Sequence, residues 1–174
     1  SPLNIEIATD GFATITEFLQ GPCRGNIYAI VHTPLLEAIN SIVRGSHVKY
    51  DGVLYPREYH DQSRELKAEV VTTLIALMEG SSVEDTFVAQ ALIRSLDLNA
   101  MLEYAIAQYK DWQSLREEQR KAKLDLDDRK LESMNKSIIN TGFKYYIMLR
   151  SLSDYESEPA PGSVFFKLED RSIP

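Results

Sequence analysis

The chain has 174 residues, 44% of them hydrophobic and 26% charged, a balance typical of one globular domain with its own core. Its net charge of −7 comes without a basic patch for phosphate contacts, so we expect no nucleic-acid partner. A single cysteine, Cys23, excludes an internal disulfide and a cysteine-cluster zinc site, and the longest apolar runs fall far short of the ~20 residues of a membrane span, so we expect no membrane contact by this segment itself.

The first predicted helix covers residues 11–20, with Asp10 as its N-cap and Gly21-Pro22 as its end. Apolar side chains recur in it at spacings of three and four residues: Phe12, Ile15, Phe18 and Leu19. This pattern is typical of an amphipathic helix with one face in a core.

An acid and an amide stand in the last turn of this predicted helix, on another face. Glu17 and Gln20 are three residues apart, so both side chains can reach one point away from the core. A helix C-terminus already carries free carbonyls and about half a negative charge, so an anion there costs ~0.3–1 kcal/mol unless a cation is near. Such oxygen atoms suit calcium, and the alternative is a solvated polar face.

Two further short helices follow. Asn26 is predicted to cap the second helix, and Thr33 with Pro34 is predicted to open a third. The third helix should run to Gly45. Residues 46–60 lack helical periodicity and predict a connecting loop.

The pattern is helical again from residue 61. Residues 61–79 predict an amphipathic helix that stops at Gly80. Ser82 and Asp85 resemble a capping box, which would open a helix that ends near Leu96.

The last third combines a charged stretch with apolar helices. Asn99 is predicted to begin a helix that leads into residues 114–136, which are either a solvated helix extension or a linker. A final helix is predicted around residues 137–152. After a loop, VFFKL at 164–168 is the one place where we expect a short strand.

Together these elements predict an all-α fold, specifically an armadillo- or HEAT-like helical solenoid segment. Residues 1–154 would form the solenoid domain, and residues 155–174 a C-terminal loop with the short strand. The absence of an initiator Met and the ragged ends fit a segment of a longer solenoid. The side chains expected to be buried are Phe12, Ile15, Leu19, Leu36, Ile39, Leu74, Leu77, Ile106 and Leu149.

The sequence offers no constellation for catalysis, and we predict that the protein is not an enzyme. Cys23 and His32 are nine residues apart across a helix break, a weak basis for a nucleophile and base. An EF-hand loop starting at Asp125 would require Gly and Glu where the chain has Lys130 and Lys136.

Three segments resemble one family of proteins. TEFLQGPCRGN, residues 16–26, resembles the Thr-Glu-aromatic-x-Gln-Gly-Pro-Cys segment of inositol trisphosphate receptors and ryanodine receptors. RELKAEVVTTLIALMEG, residues 64–80, resembles the helix that follows in those families, and NTGFKYYIMLRSLSD, residues 140–154, resembles a later helix of the ryanodine type. The similar stretches occur in the expected order.

The resemblance implies a cytosolic part of a tetrameric calcium-release channel, at the cytosolic face of the endoplasmic or sarcoplasmic reticulum. Its partners would be calcium and other domains of the same homotetrameric channel. By matching position, Glu17 would be a ligand of the activating calcium ion and Gln20 would lie in its near shell, a partial site completed by groups outside this chain. Glu79 matches an acid at the interface with the C-terminal channel region, unless it is simply a helix-end acid.

The chain differs from both branches of the family. It has only the charged stretch 114–136 where ryanodine receptors insert an EF-hand pair, and this feature resembles the trisphosphate receptor. Gly25-Asn26 and the late TGF helix are closer to the ryanodine type. Both types therefore stay open, and no trisphosphate pocket is implied in this segment. The alternative function is a freestanding helical-repeat scaffold for protein interaction.

Overall fold

The structure is a computed structural model, and eight helices and one small strand pair make up its described part. It describes residues 2–20, 24–45, 49–50, 53–54, 57–79, 86–122, 128–156 and 158–169. The helices are α1 (Pro2–Leu19), α2 (Arg24–Val31), α3 (Leu35–Arg44), α4 (Arg57–Glu79), α5 (Phe87–Ser95), α6 (Leu98–Ala122), α7 (Asp128–Ser153) and α8 (Val164–Glu169). The all-α class is confirmed. Within the described ranges, no helix combines the length and the apolar character needed to cross a bilayer.

The four longest helices pack side by side in the order α1, α4, α7, α6. Helix α4 lies between α1 and α7, and its stripe of buried apolar residues includes Val70, Leu74 and Leu77. The shorter helices cover this row, with α2 against α1 and α5, and α3 against α6. The fold therefore has one continuous core with α4 near its centre.

The apolar periodicity predicted the core well. The fully or nearly fully buried residues among those expected are Phe12, Leu19, Leu36, Ile39, Leu74, Leu77 and Leu149. Ile15 and Ile106 are partly buried and pack against the same core. Phe18, which belongs to the apolar pattern of the first helix, is exposed instead.

The prediction that α1 begins after Asp10 is wrong. The helix begins at Pro2, and Asp10 lies inside it. The buried Ile5 stands one heptad before Phe12, so the apolar stripe continues toward the N-terminus and holds the earlier turns against the core.

Several other helix starts differ from the predicted caps by one to nine residues. Helix α2 begins at Arg24, so Asn26 lies within it, where its side-chain amide donates to the Phe18 carbonyl at 3.2 Å. Helix α6 begins at Leu98, because Asp97 rather than Asn99 accepts a bond from the first turn. Helix α3 begins one residue after Pro34, and α7 extends back to Asp128.

The predicted loop at 46–60 is only partly a loop. Lys49–Tyr50 pairs antiparallel with Val53–Leu54, and α4 begins at Arg57. In the sequence, Asp-Gly separates the two strands, a dipeptide that favours hairpins. Helical periodicity does not detect this turn signal.

The strand expected at VFFKL is also wrong, because Val164–Glu169 is helix α8. Val164, Phe165 and Leu168 are buried, a spacing of one and three residues that matches one helix face and not the alternation of a strand. Ser163 accepts a hydrogen bond from the Phe166 amide at 3.2 Å and caps the helix. Helix α8 thus packs on α6 and α7.

The charged stretch 114–136 is helical wherever the structure describes it, as the ends of α6 and α7. The helix-extension alternative therefore holds for residues 114–122 and 128–136. Residues 123–127 lie outside the described part of the chain, as do Ser82 and Asp85 of the proposed capping box.

Candidate functional site

The predicted calcium residues stand at the C-terminal end of α1. Glu17 is in the last turn, and Gln20 directly follows the helix. The backbone N–H of Gln20 donates to the Thr16 carbonyl at 3.0 Å. Both side chains are exposed. The local reason is the buried pair Thr16 and Leu19, which turns the intervening face toward solvent.

The end of α1 is held in place by two polar contacts. The Thr16 hydroxyl lies 2.8 Å from the Thr73 hydroxyl of α4, and both groups are buried. Asn26 occupies the Phe18 carbonyl from the start of α2. The backbone that carries Glu17 is therefore anchored to two other helices, although its own side chain is free to move in solvent.

Chemically, this helix end can supply part of a cation site. A carboxylate and a carboxamide offer at most three oxygens, whereas calcium takes six to eight. Within the described ranges no group of three or more Asp, Glu, His or Cys side chains could hold a metal ion, and no ion pair to Glu17 is formed. Any complete site at Glu17 would require ligands from elsewhere.

Glu79, the predicted interface residue, is the last residue of α4. Its side chain is exposed, whereas Leu77 two residues earlier is fully buried. Glu79 therefore points away from the core and is not brought together with Glu17 by any described contact. Its position is compatible with contact to a neighbouring domain.

A second candidate site is a cleft bordered by the end of α3, the first half of α4 and α6. Its volume is about 540 Å³. Basic, acidic and hydroxyl groups all line it, among them Arg64, Lys67, Tyr104 and Asp111. We call it the Lys67 cleft.

Lys67 forms the innermost charged group of this cleft. Its residue surface is 6% exposed, and its Nζ donates to the carbonyls of Gly45 at 3.0 Å and Val43 at 3.3 Å. The Nζ also lies 4.4 Å from the centre of the Tyr104 ring. A cation here satisfies carbonyls at the C-terminal end of α3, which is where a helix favours positive charge.

Burial changes the titration of the groups around Lys67. It lowers the pKa of Lys67 to about 8, because removal from water disfavours the ammonium form. The same effect raises the pKa of Tyr104, and it raises the pKa of Asp111 against the opposing field of Arg64. The pKa of the Tyr145 hydroxyl, which donates to the Lys67 carbonyl at 3.0 Å, is also raised by burial.

Beside the cleft, an ion pair and a hydrogen bond connect α3 to the turn before α6. Arg44 forms an ion pair with Asp97, and Asn40 accepts from the Asp97 amide at 2.7 Å. Hydrogen bonds from the Ala100 amide and from Arg44 hold the pKa of Asp97 below its usual range. Asp97 is therefore a structural carboxylate and not a candidate acid.

Sequence reasoning missed the Lys67 cleft, although one signal was present. Lys67 stands on the apolar stripe of α4, three residues before Val70 and seven before Leu74. A lysine at such a position is rarely buried without a partner. What the sequence did not reveal is the partner, because the carbonyls of Val43 and Gly45 are more than twenty residues away.

We expect the free energy of unfolding to rise with pH across the titration of Lys67. The folded pKa of about 8 lies below the ordinary lysine value of about 10.4, so the unfolded chain binds more protons between these values. Because the cleft admits water, we expect a gain of about 1 to 2 kcal/mol between about pH 7.5 and 9.5. Above about pH 10 the raised pKa values of Tyr104 and Tyr145 act in the opposite direction.

The measurement is urea unfolding at several pH values. Lys67→Met keeps most of the side-chain volume and should lose this gain, whereas Lys110→Met, at an exposed position of α6, should retain it. The same rise with pH in Lys67→Met would show that other groups cause it.

No protein-family model matches the chain, and no solved structure matches it. These two comparisons therefore assign neither a family nor a function to the chain.

Proposed function

We propose that the chain is a cytosolic regulatory segment of an intracellular ligand-gated calcium-release channel, of the inositol trisphosphate receptor and ryanodine receptor type. In this role it contributes part of the activating calcium site and couples that site to the pore. The observation that carries the proposal is the sequence TEFLQGPC, whose described part, residues 16–20, lies at the end of α1 with Glu17 and Gln20 both exposed. Calcium is the cofactor, held here by a partial site only.

The geometry of α1 supports a shared site. Glu17 and Gln20 are on neighbouring turns at a helix end, where carbonyl oxygens are also near. The missing ligands would come from other domains of the same channel, which fits the exposure of both side chains. A shared site couples ligand binding to domain arrangement, because calcium favours the state in which the ligating segments are closest.

The same proposal assigns the helices to a solenoid. Helices α1, α4, α7 and α6 form a row of neighbours, as the stacked helices of armadillo or HEAT repeats do. The buried Thr16–Thr73 contact would connect the end of α1 that carries Glu17 to α4. Glu79, the last residue of α4 and six residues after Thr73, would then contact the channel's C-terminal region.

The experiment is channel current against calcium in the full-length homotetramer. Glu17→Gln preserves the shape of the side chain and removes its charge, so we expect the activating calcium concentration to rise on the order of tenfold. Glu6→Gln changes another exposed acid of α1 and should leave activation unchanged.

Unchanged activation in a well-folded Glu17→Gln channel would remove Glu17 from the calcium sensor. If the full-length protein also lacked downstream transmembrane helices, the freestanding helical-repeat scaffold would replace the channel assignment. The isolated chain should bind calcium only weakly in either case, because it supplies at most three of the ligands.

A further inference from the structure

The outer face of α7 carries three large apolar side chains that the core does not use. Phe143 is 59% exposed, and Tyr146 and Ile147 are 38% and 39% exposed. Their spacings of three and four residues place them side by side on one helix face. We call these three residues the α7 stripe. The buried residues of α7, such as Tyr145 and Leu149, lie on the other side of the helix.

Within α7, the charged residues nearest to the α7 stripe along the sequence are positive. Lys136 and Arg150 stand seven residues before and seven residues after Phe143, so all three share one face two turns apart. Both cations are exposed, and neither forms an ion pair in the described part of the chain. The apolar centre is therefore bracketed by a free cation at each end.

The sequence around the stripe is unusual for an acidic chain. Residues 133–153 contain three basic residues and no acid, although the chain has a net charge of −7. The third basic residue, Lys144, donates to the Thr72 hydroxyl of α4 at 2.9 Å and supports the inner side of α7. Glu132 and Asp154 are the first acids beyond the bracket, one turn farther out at each end.

We propose that the α7 stripe binds an amphipathic helix of a partner protein, whose apolar face covers the stripe and whose acidic residues pair with Lys136 and Arg150. Helix-on-helix docking suits a stripe of residues spaced by three and four, because such a row packs into the matching row of a second helix. The bracketing cations favour an acidic partner and set its register. This inference does not depend on the proposed channel function.

The test is the affinity of the chain for two synthetic peptides of about 20 residues, long enough to form a helix. Both carry leucine at helical spacing on one face, and the other face is rich in glutamate in one peptide and in lysine in the other. By fluorescence anisotropy we expect the acidic peptide to bind at least about tenfold more tightly than the basic one.

Variants of the chain locate the binding surface. Phe143→Ala should weaken binding of the acidic peptide by about tenfold or more, because it removes the central apolar contact. Lys136→Glu with Arg150→Glu should reverse the preference between the peptides. Phe18→Ala removes an equally exposed phenylalanine from α1 and is the matched control, with no expected change. Circular dichroism verifies that each variant is folded.

Four outcomes would overturn the proposal. They are equal affinity for both peptides, no binding of the acidic peptide, unchanged binding by a folded Phe143→Ala variant, and binding that depends on the stripe but belongs to another occupant. The last case is recognised by sedimentation. If the unchanged chain self-associates and Phe143→Ala does not, the stripe binds a second copy of the chain. If the unchanged chain binds anionic lipid vesicles and Phe143→Ala does not, the stripe binds a membrane surface.

Discussion

Truncation of Leu74 to alanine is expected to lower the free energy of unfolding by about 2 to 5 kcal/mol. Leu74 is fully buried in α4, the helix that lies between α1 and α7. Truncation of its side chain leaves a cavity in the core, where α4 is packed against α1 on one side and α7 on the other. Their limited ability to collapse into the space places the expected loss in the upper part of the range for such substitutions.

The measurement is urea unfolding followed by circular dichroism, with Ile7→Ala as the matched control. Ile7 is an apolar residue of α1 that remains largely exposed, so its truncation should change stability by less than about 0.5 kcal/mol. A loss below about 0.5 kcal/mol for Leu74→Ala would mean that the apolar stripe of α4 does not face the core.

Apolar periodicity was enough to predict the helical class and most of the core. Leu36, Ile39, Leu74 and Leu77 repeat at helical spacing, and burial follows because a helix hides one face only against its neighbours. This argument needs no knowledge of which helices meet. It fails at Phe18, which belongs to the apolar pattern of the first helix and is nevertheless exposed.

Helix boundaries were predicted less well, because local signals compete with packing. Asp10 has the right side chain for an N-cap, yet the buried Ile5 keeps the preceding turns helical. The helix that was predicted to begin at Asn99 begins at Leu98, because Asp97 caps α6. A short segment such as VFFKL satisfies both a strand and a helix pattern, and the choice is made by its contact with α6 and α7.

The candidate sites divide along the same line. Glu17 and Gln20 were found because their spacing within one helix is visible in the sequence. The Lys67 cleft depends on carbonyls of Val43 and Gly45 and on the Tyr104 ring, which belong to other helices. These contacts join residues that are far apart in the sequence, so a local sequence pattern does not predict them.

Helices α6 and α7 lie close together at Gly142. A β-carbon added there would lie 2.9 Å from the β-carbon of Gln108 and 3.3 Å from the Ala105 carbonyl oxygen. Both of these atoms are fixed to the backbone of α6, so neither can rotate away as the tip of a long side chain would. The absence of a side chain at Gly142 therefore allows the two helices to come this close.

Replacement of two helical glycines by alanine should have opposite effects on stability. Glycine inside a helix costs about 0.5 to 1 kcal/mol relative to alanine. The new β-carbon of Gly11→Ala in α1 would meet no atom within 4 Å beyond the adjoining backbone of its own helix, so this change should stabilise the fold by about that amount. At Gly142 the same gain is offset by overpacking of about 1 to 3 kcal/mol, and we expect a net loss of about 0.5 to 2 kcal/mol. Urea unfolding of the two variants measures the change in the free energy of unfolding, which should be positive for Gly11→Ala and negative for Gly142→Ala. Stabilisation by Gly142→Ala would show that α6 and α7 separate without cost and that Gly142 does not determine their spacing.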